Sequence, residues 1–392
     1  MKKYNFDTIL ERSGTETLKY DTCREMFGTA EVIPMWIADM DFECAPAIHK
    51  AIVARATHNL YGYDMGGERC SASIRGWLSR RSGWTVEHDW LRCTTGVVAG
   101  LAFAIRAFTR EGDGVVIQPP VYPPFRAVIE GNGRRVVTNP LRRTADGFEM
   151  DFDDLDRKLA DARAIILCNP HNPVGRVFTA EELTRLGELC AKHDVTIISD
   201  EIHSDLVFAP FRHLHIASLD ARFAERTITF TAPSKTFNIA GLTTSTAIIP
   251  SEEMRARWDA EYAKSHIPTG TAFGHIALRA AYDECEDWLE EVLEYLRGNV
   301  DYVRSFVTEN IPAVKIVPQQ GTYLVWMDFR GLGLASQDEL MGWLVREAGL
   351  GLGNGADFGV EGIGFARLNA ATNRMTVEKA MSNLARAVSK IG

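Results

Sequence analysis

Between residues 114 and 249 the sequence alternates short apolar runs with stretches of helical pattern, and few architectures accommodate that rhythm. The runs are Gly114–Gln118 (GVVIQ), Ala164–Cys168 (AIILC), Thr196–Ser199 (TIIS), Thr227–Thr231 (TITFT) and Thr246–Ile249 (TAII). Apolar runs without polar alternation mark strands covered on both faces. Between the second and third, Thr179–His193 (TAEELTRLGELCAKH) opens with a capping pattern and sets Leu183, Leu186, Leu189 and Cys190 at helical spacing. Buried strands alternating with amphipathic helices predict an α/β protein with a mostly parallel sheet.

The rhythm changes near residue 286. A long helical pattern (Trp288, Leu289, Val292, Leu293, Leu296, Val300, Val303, Phe306) ends near Pro312. Strand-like Gly321–Phe329, a helix around Gln337–Ala348, strand-like Gly364–Leu368 and a closing helix from Val377 follow. The expected organisation is a large domain over 51–285 and a smaller α+β domain over 286–392. Residues 1–50 lack the strand–helix rhythm and are expected to pack with the small domain.

Charge narrows the function. Lys and Arg number 43 against 52 Asp and Glu, giving −9, the wrong sign for a nucleic-acid binder or a polybasic membrane-surface protein. The longest uncharged stretches, Cys93–Ile105 and Phe237–Ser251, fall short of the ~20 apolar residues that span a bilayer. Lys2 and Lys3 are followed by no apolar run, so no secretory signal is expected. The 7 cysteines are scattered without a C-x-x-C pair, which favours reduced thiols in the cytoplasm over a disulfide framework or a zinc site. Dinucleotide G-x-G-x-x-G, P-loop and G-x-S-x-G motifs are absent. His213-Leu-His215 lacks a third ligand at metal spacing and reads as a loop or surface pair, so no metal is expected. The acidic Asp151–Asp156 (DFDDLD) lacks the calcium-loop glycine and reads as a helix start.

Four segments carry chemistry together. In Cys93–Gly100 (CTTGVVAG), Gly96 allows a strand-to-helix turn whose free N–H groups suit a phosphate. Asn169–Gly175 (NPHNPVG) enforces a loop at a strand's C-terminal edge, where α/β sheets bind ligands, and Asn172 could donate to a phenolate-type oxygen. Ser199–Asp205 (SDEIHSD) places Asp200 at a strand end, where an ionised carboxylate needs a partner such as a protonated heteroaromatic nitrogen. Thr231–Leu242 (TAPSKTFNIAGL) holds Lys235, the one charged residue between Thr227 and Pro250. Such surroundings lower an amine's pKa and make it a nucleophile.

In this order these segments resemble the fold-type I pyridoxal-phosphate enzymes of the aspartate-aminotransferase superfamily, and within it the MalY/PatB-type cystathionine β-lyases (C–S lyases). Trp36–Phe42 (WIADMDF), Tyr61-Gly62-Tyr63, Pro120–Phe125 (PVYPPF) and Phe365–Asn369 (FARLN) extend the likeness over essentially the whole chain. The resemblance implies that pyridoxal 5′-phosphate attaches covalently to Lys235, with Asp200 beneath its ring nitrogen, Asn172 on its phenolic oxygen and Tyr122 stacked on its face. Gly96, Val97, Val98 and Ser234 would hold the phosphate, helped by Tyr61 from a second subunit of a homodimer with a shared active site. Arg367 would fork onto the substrate carboxylate. His203 stands where many aminotransferases carry Tyr, and the lyase branch carries His there near the cofactor. Trp36, Asp39, Met40 and Tyr323 are expected at the substrate's edge of the pocket, Asp39 as a substrate-binding residue. Ala232 and Thr243 replace a common Ser and Arg, so the phosphate is expected to rely on fewer side chains.

The implied activity is a C–S β-lyase of sulfur amino-acid metabolism. It would cleave cystathionine or related L-cysteine S-conjugates to pyruvate, ammonia and a thiol, with Lys235 moving the Cα proton and Lys235 or Tyr122 protonating the leaving sulfur. The alternatives are an aminotransferase built on the same residues, and a protein of this fold with a regulatory binding role.

Overall fold

The computed structural model describes residues 3–145 and 147–391. Its centre is a seven-stranded sheet in the spatial order Leu91–Thr94, Ser245–Ile248, Thr227–Thr231, Thr196–Asp200, Ala164–Cys168, Gly114–Ile117, Arg135–Thr138. The strands from Thr227–Thr231 to Arg135–Thr138 pair in parallel, while Ser245–Ile248 runs antiparallel to both its neighbours. Ala164–Cys168 and Thr227–Thr231 are buried along their whole length, as uncharged β-branched runs between two helical layers must be.

Helices cover both faces. Ala180–Lys192 begins with a complete capping box, in which the Glu182 N–H donates to Thr179 Oγ1 (3.2 Å) and the Thr179 N–H donates to Glu182 Oε2 (2.8 Å). It buries Leu183, Leu186 and Cys190 against the sheet. Val97–Phe108 lies on the other face, and its Gly100 lets it approach closely: a Cβ there would stand 2.4 Å from the Phe230 ring. Asp151 caps the helix Phe152–Leu159, so the acidic run is a helix start.

The order of strands places a topological switch beside Gly114–Ile117, whose successor Arg135–Thr138 lies on one side and Ala164–Cys168 on the other. Ligands of open α/β sheets bind at such a switch, outside the carboxyl ends of the strands. Cys168, Asp200 and Thr231 end three adjacent strands there.

The C-terminal residues build a five-stranded sheet ordered Ile33–Met35, Leu350–Asn354, Phe365–Asn369, Leu324–Asp328, Lys315–Ile316. The helices Glu286–Asn310 and Arg374–Val388 pack with it. Ile33–Met35, from the N-terminal segment, joins this sheet in parallel as an edge strand. The helix Pro46–Thr57 packs instead against Ala272–Glu284, which belongs to the apolar core continuing under the larger sheet. All 7 cysteines are free. Among the described residues, no helix is long and apolar enough to cross a membrane.

Candidate active site

The carboxyl ends of the central strands enclose a cavity of about 290 Å³, lined by Gly96, Val97, Val98, Tyr122, Asn172, Asp200, His203, Ser234 and Lys235. Four stretches distant in sequence converge on it because each leaves the same edge of one sheet.

Lys235 lies in a single helical turn, Pro233–Thr236, immediately after Thr227–Thr231. Its Nζ donates to the Ala38 carbonyl at 2.6 Å. Burial lowers its pKa to about 8, against the opposing pull of Asp39 and Asp200. An amine in that range gives up its proton far more readily than an ordinary lysine, as a nucleophile or proton carrier requires.

Asp200 closes its strand almost completely buried and accepts one hydrogen bond, from the Ile202 N–H at 3.1 Å. Among the described residues it has no ion-pair partner. Burial therefore pushes its carboxyl up to about 7. An anion kept there permanently needs a positive group from outside the chain.

Arg367 stands on Phe365–Asn369, 7% exposed. It donates from Nη1 to Asn172 Oδ1 (3.0 Å) and from Nη2 to the Trp36 carbonyl (2.8 Å), while Nε is buried without a partner. No carboxylate among the described residues pairs with it, and burial lowers its pKa to about 10, which leaves it charged at neutral pH. A planar fork with an unused donor is suited to a carboxylate from outside.

His203 is buried with Nδ1 unpartnered, and burial beside the charges of Lys235 and Arg367 holds it neutral, at about 3. Tyr122 borders this cavity and a second, larger one that Arg367 also lines. Burial and the Asp200 charge raise its phenol, so it stays protonated. Gly96 takes φ +147° with open space where a Cβ would stand. It precedes Val97–Phe108, whose first-turn N–H groups have no partner within the helix and favour an anion.

Of the residues expected at the substrate's edge, Trp36 lines the larger cavity, while Asp39, Met40 and Tyr323 line neither, and Met40 and Tyr323 are buried in the core. The Asp39 carboxylate is held by Arg12 (2.8 Å), with Lys19 Nζ at 3.6 Å, and reaches Lys235 as a field rather than a contact. Tyr61, expected from a second subunit, is 60% exposed and lines neither cavity of its own chain; its hydroxyl donates to the Ala56 carbonyl.

His213 and His215 require a correction. They lie in a loop as expected, but they form neither a surface pair nor a pair without a third partner, because both side chains are buried against the carboxylate of Glu201. His213 Nε2 lies 2.8 Å from Glu201 Oε2, and His215 Nδ1 bonds the same oxygen. Ser199 Oγ donates to the other oxygen at 2.7 Å, and His215 Nε2 meets Ser82 Oγ at 3.0 Å. Against burial that would raise it, the electrostatic attraction and hydrogen bonds of the two histidines hold Glu201 down to about 2.

Residues 31–384 match the family described as aminotransferase class I and II. The chain belongs to that family. It is 41% identical over 387 residues to cystathionine beta-lyase PatB of Bacillus subtilis (strain 168), covering 98% of this chain and 100% of that one. It is 32% identical over 392 residues to protein MalY of Escherichia coli (strain K12), covering 98% and 99%. Among solved structures it is similar to cystalysin from Treponema denticola, which contains a pyridoxal 5′-phosphate cofactor, with a TM-score of 0.96 and 32% identity over 99% of this chain and 100% of that one.

For a member of the aminotransferase family, the least legible parts of the site are backbone groups. The carbonyls of Trp36, Ile37, Ala38 and Asp39 accept hydrogen bonds from Arg367, Asn369, Lys235 and Tyr323. Asn238, in the left-handed region at φ +56°, fastens the next residues by accepting from the Met40 N–H and donating to the Met40 and Phe42 carbonyls. Its place three residues after Lys235 was the available signal for this role.

Proposed function

We propose that this protein is a pyridoxal-phosphate-dependent C–S β-lyase that cleaves cystathionine or related L-cysteine S-conjugates. The observation that carries the proposal is the buried trio of Lys235, Asp200 and Arg367, each lacking the partner that this chemistry would bring. The relatives' descriptions point the same way: PatB is named a cystathionine beta-lyase, and cystalysin contains pyridoxal 5′-phosphate.

The residues present fit the cofactor. Asp200 is a buried carboxyl that a protonated ring nitrogen would hold ionised, and Asn172 and His203 offer polar atoms beside it. Tyr122 offers an aromatic face. Gly96, Val97, Val98 and Ser234 offer a phosphate cradle, and Lys235 the amine for covalent attachment. When bound, pyridoxal phosphate supplies an electron sink for negative charge developing at the substrate Cα.

The chain's own groups do the rest. Arg367 takes the α-carboxylate through its remaining N–H groups and orients the Cα–H bond. Lys235, which burial makes a weaker base than an ordinary lysine, would accept the Cα proton. As the Cβ–S bond breaks, the sulfur leaves with its electron pair and is protonated from Lys235 or the phenol of Tyr122. Water then completes the balance: S-conjugate plus water gives pyruvate, ammonia and a thiol.

The test is L-cystathionine with holoenzyme and no keto acid. Pyruvate, ammonia and thiol released together over many turnovers support the lyase. A single half-turnover that resumes only when a keto acid is added makes the protein an aminotransferase.

The functional unit of this reading is a homodimer. Leu60, Tyr61, Tyr63 and Met65 form an exposed apolar segment, with Tyr63 and Met65 projecting almost wholly into solvent. A second copy covering it would bring Tyr61 to the neighbouring phosphate cradle. Mixing the inactive variants Tyr61→Ala and Lys235→Ala should then restore part of the activity, and no recovery would refute the shared site. The 7 free cysteines suit a reducing compartment, the cytoplasm.

A further inference from the structure

Beyond Tyr122 and Arg367 the site does not end. A cavity of about 790 Å³ continues from these two residues and runs between the N-terminal segment and the small domain. Its walls include Phe27, Trp36, Met341, Val345, Leu352 and Phe358. Phe27 meets Trp36 edge to face at 5.7 Å, and it fits because Gly351 has no Cβ; one there would stand 2.7 Å from the ring. Phe358 lies under the guanidinium of Arg367, 4.9 Å from it, so the apolar wall starts where the substrate carboxylate would be held. The charged residues of this cavity other than Arg367 are Arg346 and Asp357, and both are exposed.

We infer that this cavity is a subsite for the S-substituent of the substrate, and that it selects cysteine S-conjugates carrying a long or bulky apolar group. The inference rests on the lyase reading for its orientation, since an amino acid fixed by Arg367 directs its side chain away from the carboxylate. The volume lies within the roughly 300–1,000 Å³ of pockets that enclose drug-sized ligands, far beyond the needs of a methyl group. A zwitterionic substituent would exchange hydration for aromatic and aliphatic walls, because Arg346 and Asp357 already face water. An alkyl chain leaves no polar group unsatisfied, and each buried methylene strengthens binding about fourfold.

The test uses S-methyl-, S-butyl- and S-hexyl-α-methyl-L-cysteine, which carry no Cα proton and cannot be turned over. Their dissociation constants are read from the visible absorption of the holoenzyme. Affinity should rise at least tenfold from methyl to hexyl. Met341→Glu, which sets a carboxylate into the wall, should bring the hexyl-to-methyl ratio close to one, and the nearly isosteric Met341→Leu should keep it. A flat series in the wild type, or a ratio unmoved in Met341→Glu, overturns the subsite. Pyruvate release from the ordinary S-alkyl-L-cysteines is measured separately. Its absence would defeat the lyase reading, while the affinity series would still decide whether the cavity takes an apolar group.

Discussion

Replacing Arg367 with Ala tests the substrate end of the site most directly. The side chain is 7% exposed, and each terminal nitrogen gives one hydrogen, to Asn172 Oδ1 and the Trp36 carbonyl, which fixes the plane of the fork and leaves a second hydrogen on each. Removing it takes away a desolvated cation and leaves any carboxylate in the pocket without an opposite charge. Breaking one partner of a buried charge pair costs about 3–5 kcal/mol. At about 1.36 kcal/mol per decade, that predicts a loss of roughly two to four orders of magnitude in kcat/KM for L-cystathionine. Arg367→Lys keeps the charge but not the two-pronged geometry, so one or two charge-assisted bonds of about 1.5–3 kcal/mol are at stake and an intermediate loss is expected. The assay follows pyruvate, with the holoenzyme's visible spectrum recorded alongside to show that the cofactor remains in place. An alanine variant within fivefold of the wild type, with its spectrum intact, would refute the assignment of Arg367 as the carboxylate fork.

Three further outcomes follow from the same geometry. Lys235→Ala should abolish both multiple turnover and the visible absorbance of the covalently attached cofactor; a variant that keeps colour and turnover would remove the centre of the proposal. In the cofactor-free protein Asp200 titrates at about 7, above the ordinary 3.8, so between these values the native state keeps a proton that the unfolded state has released. The contribution of this group to stability therefore falls as pH rises from about 4 to 7. Urea midpoints of the wild type and Asp200→Asn should diverge over that window in favour of the variant, and a constant difference would contradict the burial of an unpartnered carboxyl. Glu201→Ala leaves two imidazoles and the Ser199 hydroxyl without their acceptor, and should lower stability by about 3–5 kcal/mol in urea unfolding; a change under 1 kcal/mol would show that the cluster is relaxed by water.

Where a functional residue is announced by its immediate neighbours, the sequence was legible. Lys235 stands alone in an uncharged run, Asn172 sits in a doubly proline-locked loop, and Asp200 ends a β-branched run; the sheet brings all three to one cavity. Direction was less legible than position, because Ser245–Ile248 has the composition of its parallel neighbours but runs against them. The helix Glu252–Ala263 buries only Met254 and Trp258, a stripe too narrow to stand out among its charges. His213 and His215 were misread because their partner, Glu201, belongs to the motif that follows the strand Thr196–Asp200. Proximity in space between loops leaves no periodic trace.

The four carbonyls from Trp36 to Asp39 have a consequence for how the site can be altered. They receive the amine of Lys235 and one arm of Arg367, and the strand just before them is hydrogen-bonded into the smaller sheet. The attachment is made by peptide oxygens, which no side-chain exchange removes, so an alanine scan across this stretch would leave it untouched. Variation of the side chains and preservation of the chemistry are thereby uncoupled. The residues here can change to suit new substrates, while a single inserted or deleted residue, which shifts every oxygen at once, would disconnect both functional groups.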